Sequence, residues 1–366
     1  MFSSDMNPTS RFFTTVFLCC FLTTIIVQAN CPCEISAGKG FEVAKFGRSR
    51  GYTVKGAFSP NSGNFIAAWD SPYVPGSGAQ LFGRAGNPKG KQILLDKGFT
   101  VLGGVTYNPD RGEFLIIWAR SWQAPNGQIV AQIVTDTGIP VGSPIIIESE
   151  SEPYRIFSLG EPVYDPNGKF YVIPSVVWKV ATPPAQTTFA VYLQRLDANG
   201  NLIGVKERIN TNVKAGAADI HLIRNDYSKK YLAVWFSGIG VQYQFFNEML
   251  NKIGSNKILA SSAEDANYLR ASAVPDSASF AAFWNEPAAG LKARRIDANG
   301  HLSPVKVIAL EKTLAVQSGD VESDPSTGGF LLAFFGSPPD VVRISPDLTF
   351  NGKFTVACIA QPGGGG

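Results

Sequence analysis

Charged residues recur at one position of a repeated strand-and-turn pattern. Three residues before each residue that enters a turn (Phe58, Tyr107, Tyr164, Leu222, Ala273, Ser323), the chain has Lys55, Gly104, Glu161, Asp219, Arg270 and Asp320. Five of these six are charged, although charged residues make up only 17% of the chain. Two positions further on come His221 and Glu322, and alternate residues of a strand share a face. The pattern predicts a cluster of opposite charges along one set of strands.

Two kinds of chemistry are open to such a cluster. Converging carboxylates (Glu161, Asp219, Asp320, Glu322) could hold a hard cation such as Ca²⁺ or act as general acids and bases. Lys55 and Arg270 interleave with them, and His221 lies beside Asp219, so the alternative is a self-neutralising ring of ion pairs. With His221 and His301 as the only histidines, a zinc site or a Ser-His-Asp triad has little material.

A second group of candidates consists of aromatic residues in segments rich in proline and polar residues. Such segments on a rigid scaffold often carry binding residues. Tyrosine and tryptophan there could stack on a sugar or anchor a protein, or could simply cap the structure beneath them. These candidates are Tyr73, Trp122, Tyr154 and Tyr268.

The elements that position both groups form a repeat. Apolar runs end in an aromatic residue at intervals of 49 to 60 residues, at Trp69, Trp118, Trp178, Trp235, Trp284 and Phe335. A period near 50, made of short strands and Gly/Asn/Asp turns, is typical of propeller blades. Each unit reads as four strands, and the innermost strand of a blade faces the central channel. The charged cluster is therefore predicted to ring a channel mouth.

Two segments connect this repeat to known proteins. Residues 131–136 (AQIVTD) and 193–204 (LQRLDANGNLIG) resemble the repeats of secreted propeller-like proteins common in bacteria, where a Trp-containing strand precedes "AQRLDANGN". The resemblance implies a secreted six-bladed β-propeller and no particular activity. Six-bladed hydrolases with a central Ca²⁺, lactonase-like and phosphotriesterase-like, use several Asn and Asp/Glu ligands, whereas here two cations lie among the acids.

The predicted organisation is all-β, a single six-bladed propeller of four-stranded blades. Residues 1–29 read as a signal peptide, and 361–366 as a flexible glycine tail. The propeller covers residues 30–360, with blades at about 52–96, 101–148, 158–209, 216–260, 269–309 and 318–359.

Cysteine use adds a prediction about the termini. Cys31, Cys33 and Cys358 remain after the signal peptide. Because the ends of a closed ring meet, we expect Cys358 to pair with Cys31 or Cys33 and fasten the ring. The odd thiol could link two chains as a dimer.

Charge and hydropathy exclude some partners. The net charge of +3 is too small to favour nucleic acid, and no stretch after the signal peptide is long enough to span a membrane. The lack of a recognised catalytic motif, the turn-rich scaffold and the proline- and aromatic-bearing loops favour an extracellular binding or scaffolding protein, with a glycan, matrix or protein partner and no cofactor unless Ca²⁺ binds. The alternative is a secreted hydrolase, lactonase-, esterase- or glycosidase-like, that uses the channel-mouth carboxylates.

Overall fold

The structure is a computed structural model of the 366-residue chain. It describes residues 25–26, 36–37, 53–70, 76–120, 126–151, 153–179, 188–211, 218–261, 268–286, 290–308, 319–324, 326–334 and 340–355. Some predictions concern residues outside these ranges: Cys31, Cys33, Cys358, Tyr73, Trp122, Phe335, the glycine tail and nearly all of the signal peptide. Those predictions stay predictions.

The described residues form strands and turns, and none forms a helix that could cross a membrane. The 27 strands found in these ranges are β1 (Ile25–Ile26), β2 (Ser36–Ala37), β3 (Val54–Phe58), β4 (Phe65–Trp69), β5 (Ser77–Phe82), β6 (Pro88–Asp96), β7 (Thr100–Asn108), β8 (Glu113–Arg120), β9 (Gln128–Thr135), β10 (Pro140–Ser149), β11 (Tyr154–Leu159), β12 (Val163–Asp165), β13 (Phe170–Lys179), β14 (Thr188–Asp197), β15 (Leu202–Arg208), β16 (Ala218–Asn225), β17 (Lys230–Ser237), β18 (Gly240–Phe246), β19 (Lys252–Ala260), β20 (Tyr268–Ala273), β21 (Phe280–Glu286), β22 (Gly290–Ile296), β23 (Lys306–Val307), β24 (Gly319–Asp324), β25 (Gly329–Phe334), β26 (Asp340–Ile344) and β27 (Phe350–Thr355).

Six antiparallel sheets follow one another along the chain, five of them with four strands in sequence order. The third has five strands instead of the predicted four, because β11 and β12 both pair with β13. Blades 1 to 6 are β3–β6, β7–β10, β11–β15, β16–β19, β20–β23 and β24–β27. The first strands of five blades, and β12 in blade 3, line one central cavity, so they are the innermost strands. The chain is therefore an all-β, six-bladed β-propeller, as the sequence predicted. We call the side on which the innermost strands begin the mouth face, and the opposite side the hairpin face.

Apolar clusters between neighbouring blades hold the ring together. Five clusters of buried side chains each combine residues of two adjacent blades, from the junction of blades 1 and 2 to that of blades 5 and 6. Along β4, Ile66 and Ala68 face blade 2, while Phe65 and Ala67 form a separate cluster on the other face of blade 1. The central residues of the second strands are mostly apolar because both of their faces are buried.

The Ala-Gln motif of the repeat has a structural explanation in the third strand. A buried glutamine there donates through Nε2 to the next residue's carbonyl and to a carbonyl of the fourth strand, at 2.8–3.4 Å. The fourth strand carries a glycine at positive φ beside this bond, where a bulge shifts the register. These glutamines are Gln80, Gln132, Gln194 and Gln244, in blades 1 to 4.

Blade 3 departs from the repeat. Four tryptophans end the equivalent stretch of the second strand and are buried: Trp69, Trp118, Trp235 and Trp284. Trp178 was predicted to belong to this set, but Ser175 takes the equivalent place, four residues after Tyr171. The reason is that β13 runs on to Lys179, so Trp178 lies three residues beyond the repeat and is only half-buried.

Candidate functional site

Ionisable side chains of five blades meet where the innermost strands begin, at the mouth of the central cavity. We call them the mouth ring: Lys55, Glu161, Asp219, His221, Arg270 and Asp320. Lys55, Arg270 and Asp320 lie on the regular strands β3, β20 and β24, whereas Glu161 lies between β11 and β12. Blade 2 contributes Gly104, where a Cβ would stand 2.9 Å from Cγ of Glu161. The glycine therefore gives the glutamate its space.

Lys55 ties blade 1 to two other blades. Its Nζ contacts Glu161 of blade 3 and lies 3.1 Å from Oδ2 of Asp320 in blade 6. Burial disfavours the ammonium charge, but Asp320 and Glu161 outweigh that effect and hold the pKa of Lys55 above its ordinary value. The pair with Asp320 is a contact across the junction at which the ring closes.

Arg270 connects blades 4, 5 and 6. Its Nη1 donates to Oδ2 of Asp219 at 3.1 Å and to Nε2 of His221 at 3.0 Å, and its Nε lies 3.7 Å from Asp320. Burial would raise the pKa of Asp320, but Lys55 and Arg270 on either side hold it well below its usual range. Asp320 is thus a carboxylate shared by two cations.

His221 is neutral in this setting. Burial, and then the charge of Arg270, lower its pKa to about 3 from an ordinary 6.5. Because an arginine only donates, Nε2 of His221 must accept, and the ring proton resides on Nδ1. Among the described residues, Nδ1 has no hydrogen-bond partner. His221 thus presents one N–H donor along the wall of the cavity.

Glu161 is the acid with the most open side chain in the ring, 34% exposed against 15% for Asp320. Its burial in the mouth, and then the neighbouring charge of Asp320, raise its pKa above the ordinary value. Lys55 engages Oε1, and Oε2 has no hydrogen-bond partner within the described part of the chain. Glu161 therefore leaves one acceptor toward the cavity.

The structure corrects the predicted register of blade 4. His221 pairs with Val234 as Lys55 pairs with Ala68, so His221, and not Asp219, occupies the position of Lys55. Asp219 lies in a bulge between Ala218 and Ile220 with a φ of 52°, a conformation that aspartate tolerates better than most residues. The bulge still brings Asp219 within reach of Arg270.

The cavity below the ring has a volume of about 510 Å³, within the range of small-molecule sites. Glu322 lines it on the strand that carries Asp320. Phe58, Tyr107 and Tyr164, each at the last or second-last position of the innermost strand in blades 1 to 3, line its lower wall. The wall therefore offers aromatic rings below and polar groups above.

Hydrogen bonds between blades fix the tyrosines of this wall. The hydroxyl of Tyr107 accepts from Ser59, and that of Tyr164 donates to Asp110 at 2.5 Å. Burial, then this bond, raise the pKa of Tyr164. Rings held by such bonds present a fixed apolar surface.

No set of three His, Cys, Asp or Glu side chains in the described ranges is arranged to hold a metal ion. In the mouth ring each acid has at least one cationic neighbour. The arrangement can therefore accept and donate hydrogen bonds, through Glu161 and His221, beside apolar ring surfaces.

The predicted aromatic residues of the mouth face are placed in part. Tyr154 begins β11, is 40% exposed and has Nζ of Lys179 5.9 Å from its ring centre. Tyr268 begins β20, where its backbone pairs with Asn285. His301 lies in a hairpin with Nδ1 2.8 Å from Asp297 and is exposed.

One cluster of charge was missed from the sequence. Lys206, on the outer strand of blade 3, contacts both Glu148 and Glu150 of blade 2 and lies 4.5 Å from the ring centre of Tyr192. Burial, then the bond with Glu150, raise the pKa of Glu148 to about 8. We call Glu148, Glu150 and Lys206 the outer cluster. The alternating residues Glu148, Glu150 and Glu152 were the only signal in the sequence.

Comparison with known proteins defines the class of fold. No protein-family model matches the chain, and neither does any curated protein. Among solved structures, the Dos1 propeller is 12% identical, with a TM-score of 0.53 over 83% of this chain and 70% of its own. A putative 6-phosphogluconolactonase from Bacteroides uniformis ATCC 8492 is 13% identical, with a TM-score of 0.52 over 82% and 84%.

A prolyl endopeptidase is 12% identical, with a TM-score of 0.51 over 90% of this chain and 45% of its own. The chain spans less than half the length of the prolyl oligopeptidase and prolyl endopeptidase chains that it matches. At such identities the likeness is one of fold: the chain is similar to β-propellers that are named for different activities.

Proposed function

We propose that this protein is a secreted, non-catalytic binding propeller that holds a sugar residue of a glycan in its central cavity. One observation carries the proposal: within the described part of the chain, Oε2 of Glu161 is an acceptor and Nδ1–H of His221 a donor that have no hydrogen-bond partner and belong to residues lining the cavity. A sugar hydroxyl can donate to the first and accept from the second.

The rest of the cavity supports the same ligand. Phe58 and Tyr107, both half-buried, supply ring surface against which the C–H face of a sugar can pack. A volume of about 510 Å³ is sufficient for one sugar residue. The remaining mouth charges neutralise one another, which suits an uncharged ligand.

The position of Lys55 favours binding over hydrolysis. A glycosidase needs a carboxyl acid and a carboxylate on either side of the scissile bond. Glu161 and Asp320 have shifted pKa values of the required opposite directions, but the ammonium of Lys55 contacts both and occupies the space between them. The scissile bond of a bound glycoside would therefore not lie between the two carboxyl groups.

Hydrolysis remains the second candidate because the pKa values of Glu161 and Asp320 diverge. The test is release of p-nitrophenol from glycosides and esters, and lactone opening, by wild type and Glu161→Gln, with EDTA or millimolar Ca²⁺. Turnover that Glu161→Gln abolishes would replace the binding proposal with this one. A Ca²⁺-dependent rise in melting temperature would add the metal.

The binding proposal is tested by isothermal titration calorimetry with the methyl glycosides of glucose, galactose, mannose and N-acetylglucosamine. At least one should bind, and Glu161→Gln should weaken it by about tenfold, the value of one hydrogen bond to a charged group. The matched control is Glu207→Gln, another blade 3 glutamate paired with a lysine, Lys252, at 3.2 Å outside the cavity. Equal loss in both variants, or no binding by wild type, would contradict the proposal.

Secretion and the terminal disulfide belong to the same proposal. Non-reducing peptide mapping of protein recovered from the medium should find Asn30 at the N-terminus and Cys358 linked to Cys31 or Cys33. A chain that retains residues 1–29, or a free Cys358, would remove that part and leave the cavity argument unaffected.

A further inference from the structure

The two groups of the mouth ring that have no partner in the described part of the chain, Oε2 of Glu161 and Nδ1–H of His221, belong to neighbouring blades. Gly160 and Ile220 touch across the junction of blades 3 and 4, because a Cβ at Gly160 would stand 2.4 Å from the carbonyl oxygen of Ile220. Glu161 and His221 are the next residues of these two segments, and both line the cavity. A ligand at this junction therefore meets an acceptor from one blade and a donor from the next.

Aliphatic side chains lie below these two groups. Val163 and Ile223 are each two residues further from the mouth, are half-buried and line the same cavity. Within β16, the alternation of a strand places Ile223 on the face that carries His221. Blades 3 and 4 therefore each present a polar group at the mouth and a branched apolar side chain beneath it.

The other four blades differ at this level of the cavity wall. Val163 and Ile223 occupy equivalent places in the ladder between the innermost and second strands. The equivalent residues of blades 1, 2, 5 and 6 also line the cavity and are small or polar: Ala57, Thr106, Ser272 and Glu322. Among these six residues, the branched aliphatic ones thus belong to the two blades that carry the groups without a partner.

An acetamido group matches this combination. Its N–H can donate to Glu161, and its carbonyl oxygen can accept from His221. Its methyl group is apolar and gains from burial against Val163 and Ile223. A hydroxyl can use both polar groups as well, but it has no apolar part to place against the aliphatic side chains.

We propose that the cavity selects an N-acetylated amino sugar, whose acetamido group lies at the junction of blades 3 and 4. The inference rests on the proposed function and names the class of sugar more closely. Phe58 and Tyr107 belong to blades 1 and 2, so the ring surface for the sugar and the contacts for its acetamido group come from different sides of one cavity. The ligand is uncharged, as the paired charges of the mouth require.

The test is calorimetric titration with two pairs of methyl glycosides that differ only at C2: N-acetylglucosamine with glucose, and N-acetylgalactosamine with galactose. In at least one pair, wild type should bind the N-acetylated member about tenfold more tightly. Val163→Thr and Ile223→Thr place a hydroxyl against the acetamido methyl, so each should reduce this preference to about threefold or less and leave the affinity for the other member unchanged. Val141→Thr makes the same exchange on the exposed β10, outside the cavity, and should keep the preference.

The outcomes separate the two proposals. If wild type binds the unacetylated member of each pair equally well or better, or if its preference survives both Val163→Thr and Ile223→Thr, the acetamido inference alone is overturned. N-acetylalanine methylamide carries the same amide without a sugar, and equally tight binding of it would overturn the sugar in both proposals. Failure of every saccharide to bind overturns the proposed function, and this inference with it. Melting curves establish that each variant is folded, and because the two exchanges lie in different blades, one supplies the reading if the other is not.

Discussion

Two clusters of buried charge link neighbouring blades, and they respond to burial in opposite ways. In the mouth ring, the group without its own counter-charge is a base, His221, which Arg270 and burial keep unprotonated. In the outer cluster two acids share Lys206, and the group that stays uncharged is an acid, Glu148, which keeps its proton. Burial suppresses the charged form of whichever group is left over.

The comparison predicts opposite pH limits for the two clusters. A base with a lowered pKa weakens the fold as the solution becomes acidic, because the unfolded chain takes up its proton first. An acid with a raised pKa weakens the fold as the solution becomes alkaline, because the unfolded chain loses its proton first. The protein should be most stable between these limits.

The largest effect is expected from Lys55→Met. Removal of the cation leaves Glu161 and Asp320 without the partner that they share, and breaking a buried pair costs about 3 kcal/mol or more. Urea unfolding at pH 7 measures the change. Lys252→Met is the control, since its pair with Glu207 is exposed and should contribute no more than about 1 kcal/mol. A similar loss of unfolding free energy in both variants would show that the ion pairs of Lys55 contribute no more than an exposed pair.

The next effect concerns acid. As the pH falls from the unfolded pKa of His221, 6.5, toward its folded pKa of about 3, the free energy of unfolding should decrease by about 1.4 kcal/mol per pH unit. His221→Gln, whose carbonyl can still accept from Arg270, should flatten that slope and gain about 2 kcal/mol relative to wild type on going from pH 7 to pH 5. His301→Gln, the other histidine, should keep the wild-type slope. If the decrease of stability with falling pH were the same in His221→Gln as in wild type, groups other than His221 would cause it.

A smaller effect of opposite sign is expected from Glu148→Gln. Wild-type stability should fall as pH rises from 4.5 toward about 8, while glutamine keeps an uncharged donor facing Glu150. Because Glu150 and Lys206 share this titration, only a part of the linkage of a lone acid is expected, and the variant should match wild type near pH 4.5 and exceed it by about 1 kcal/mol at pH 8. Glu248→Gln, at an exposed site, should show no such divergence. A variant that is less stable than wild type at pH 8 would reverse the assignment of the proton.

The sequence predicted the six-bladed fold and the convergence of Lys55, Arg270 and Asp320, because period-2 alternation and turn signals define regular strands. It misplaced Asp219, since the prediction counted back from Leu222, whereas Arg224 is the residue of blade 4 that pairs with Tyr231 before the turn. Gly104 read as a gap in the ring, and only the fold shows that it makes room for Glu161.

Contacts between blades are the second feature that could not be predicted from the sequence. Lys206 meets Glu148 across 58 residues of chain, between outer strands whose relative height the repeat does not define. Trp178 lies only three residues past the position of the other tryptophans, because β13 is a longer strand. Residue type alone therefore could not separate a core tryptophan from a half-buried one. Residue spacing predicts the type of secondary-structure element, whereas the length of the strand decides whether a side chain lies in the core or beyond it.

The smallest effect is expected from Asp219→Asn, and it separates the charge of the mouth ring from its backbone. Asp219 is 32% exposed, and Arg270 keeps Asp320 and His221 as neighbours when that charge is removed. Asparagine tolerates the φ of 52°, so the loss should stay below about 1 kcal/mol. Asp219→Ala should cost about 1 kcal/mol more, because alanine strains the bulge that positions His221. Equal losses in the two variants would mean that the charge, and not the bulge, organises this side of the ring.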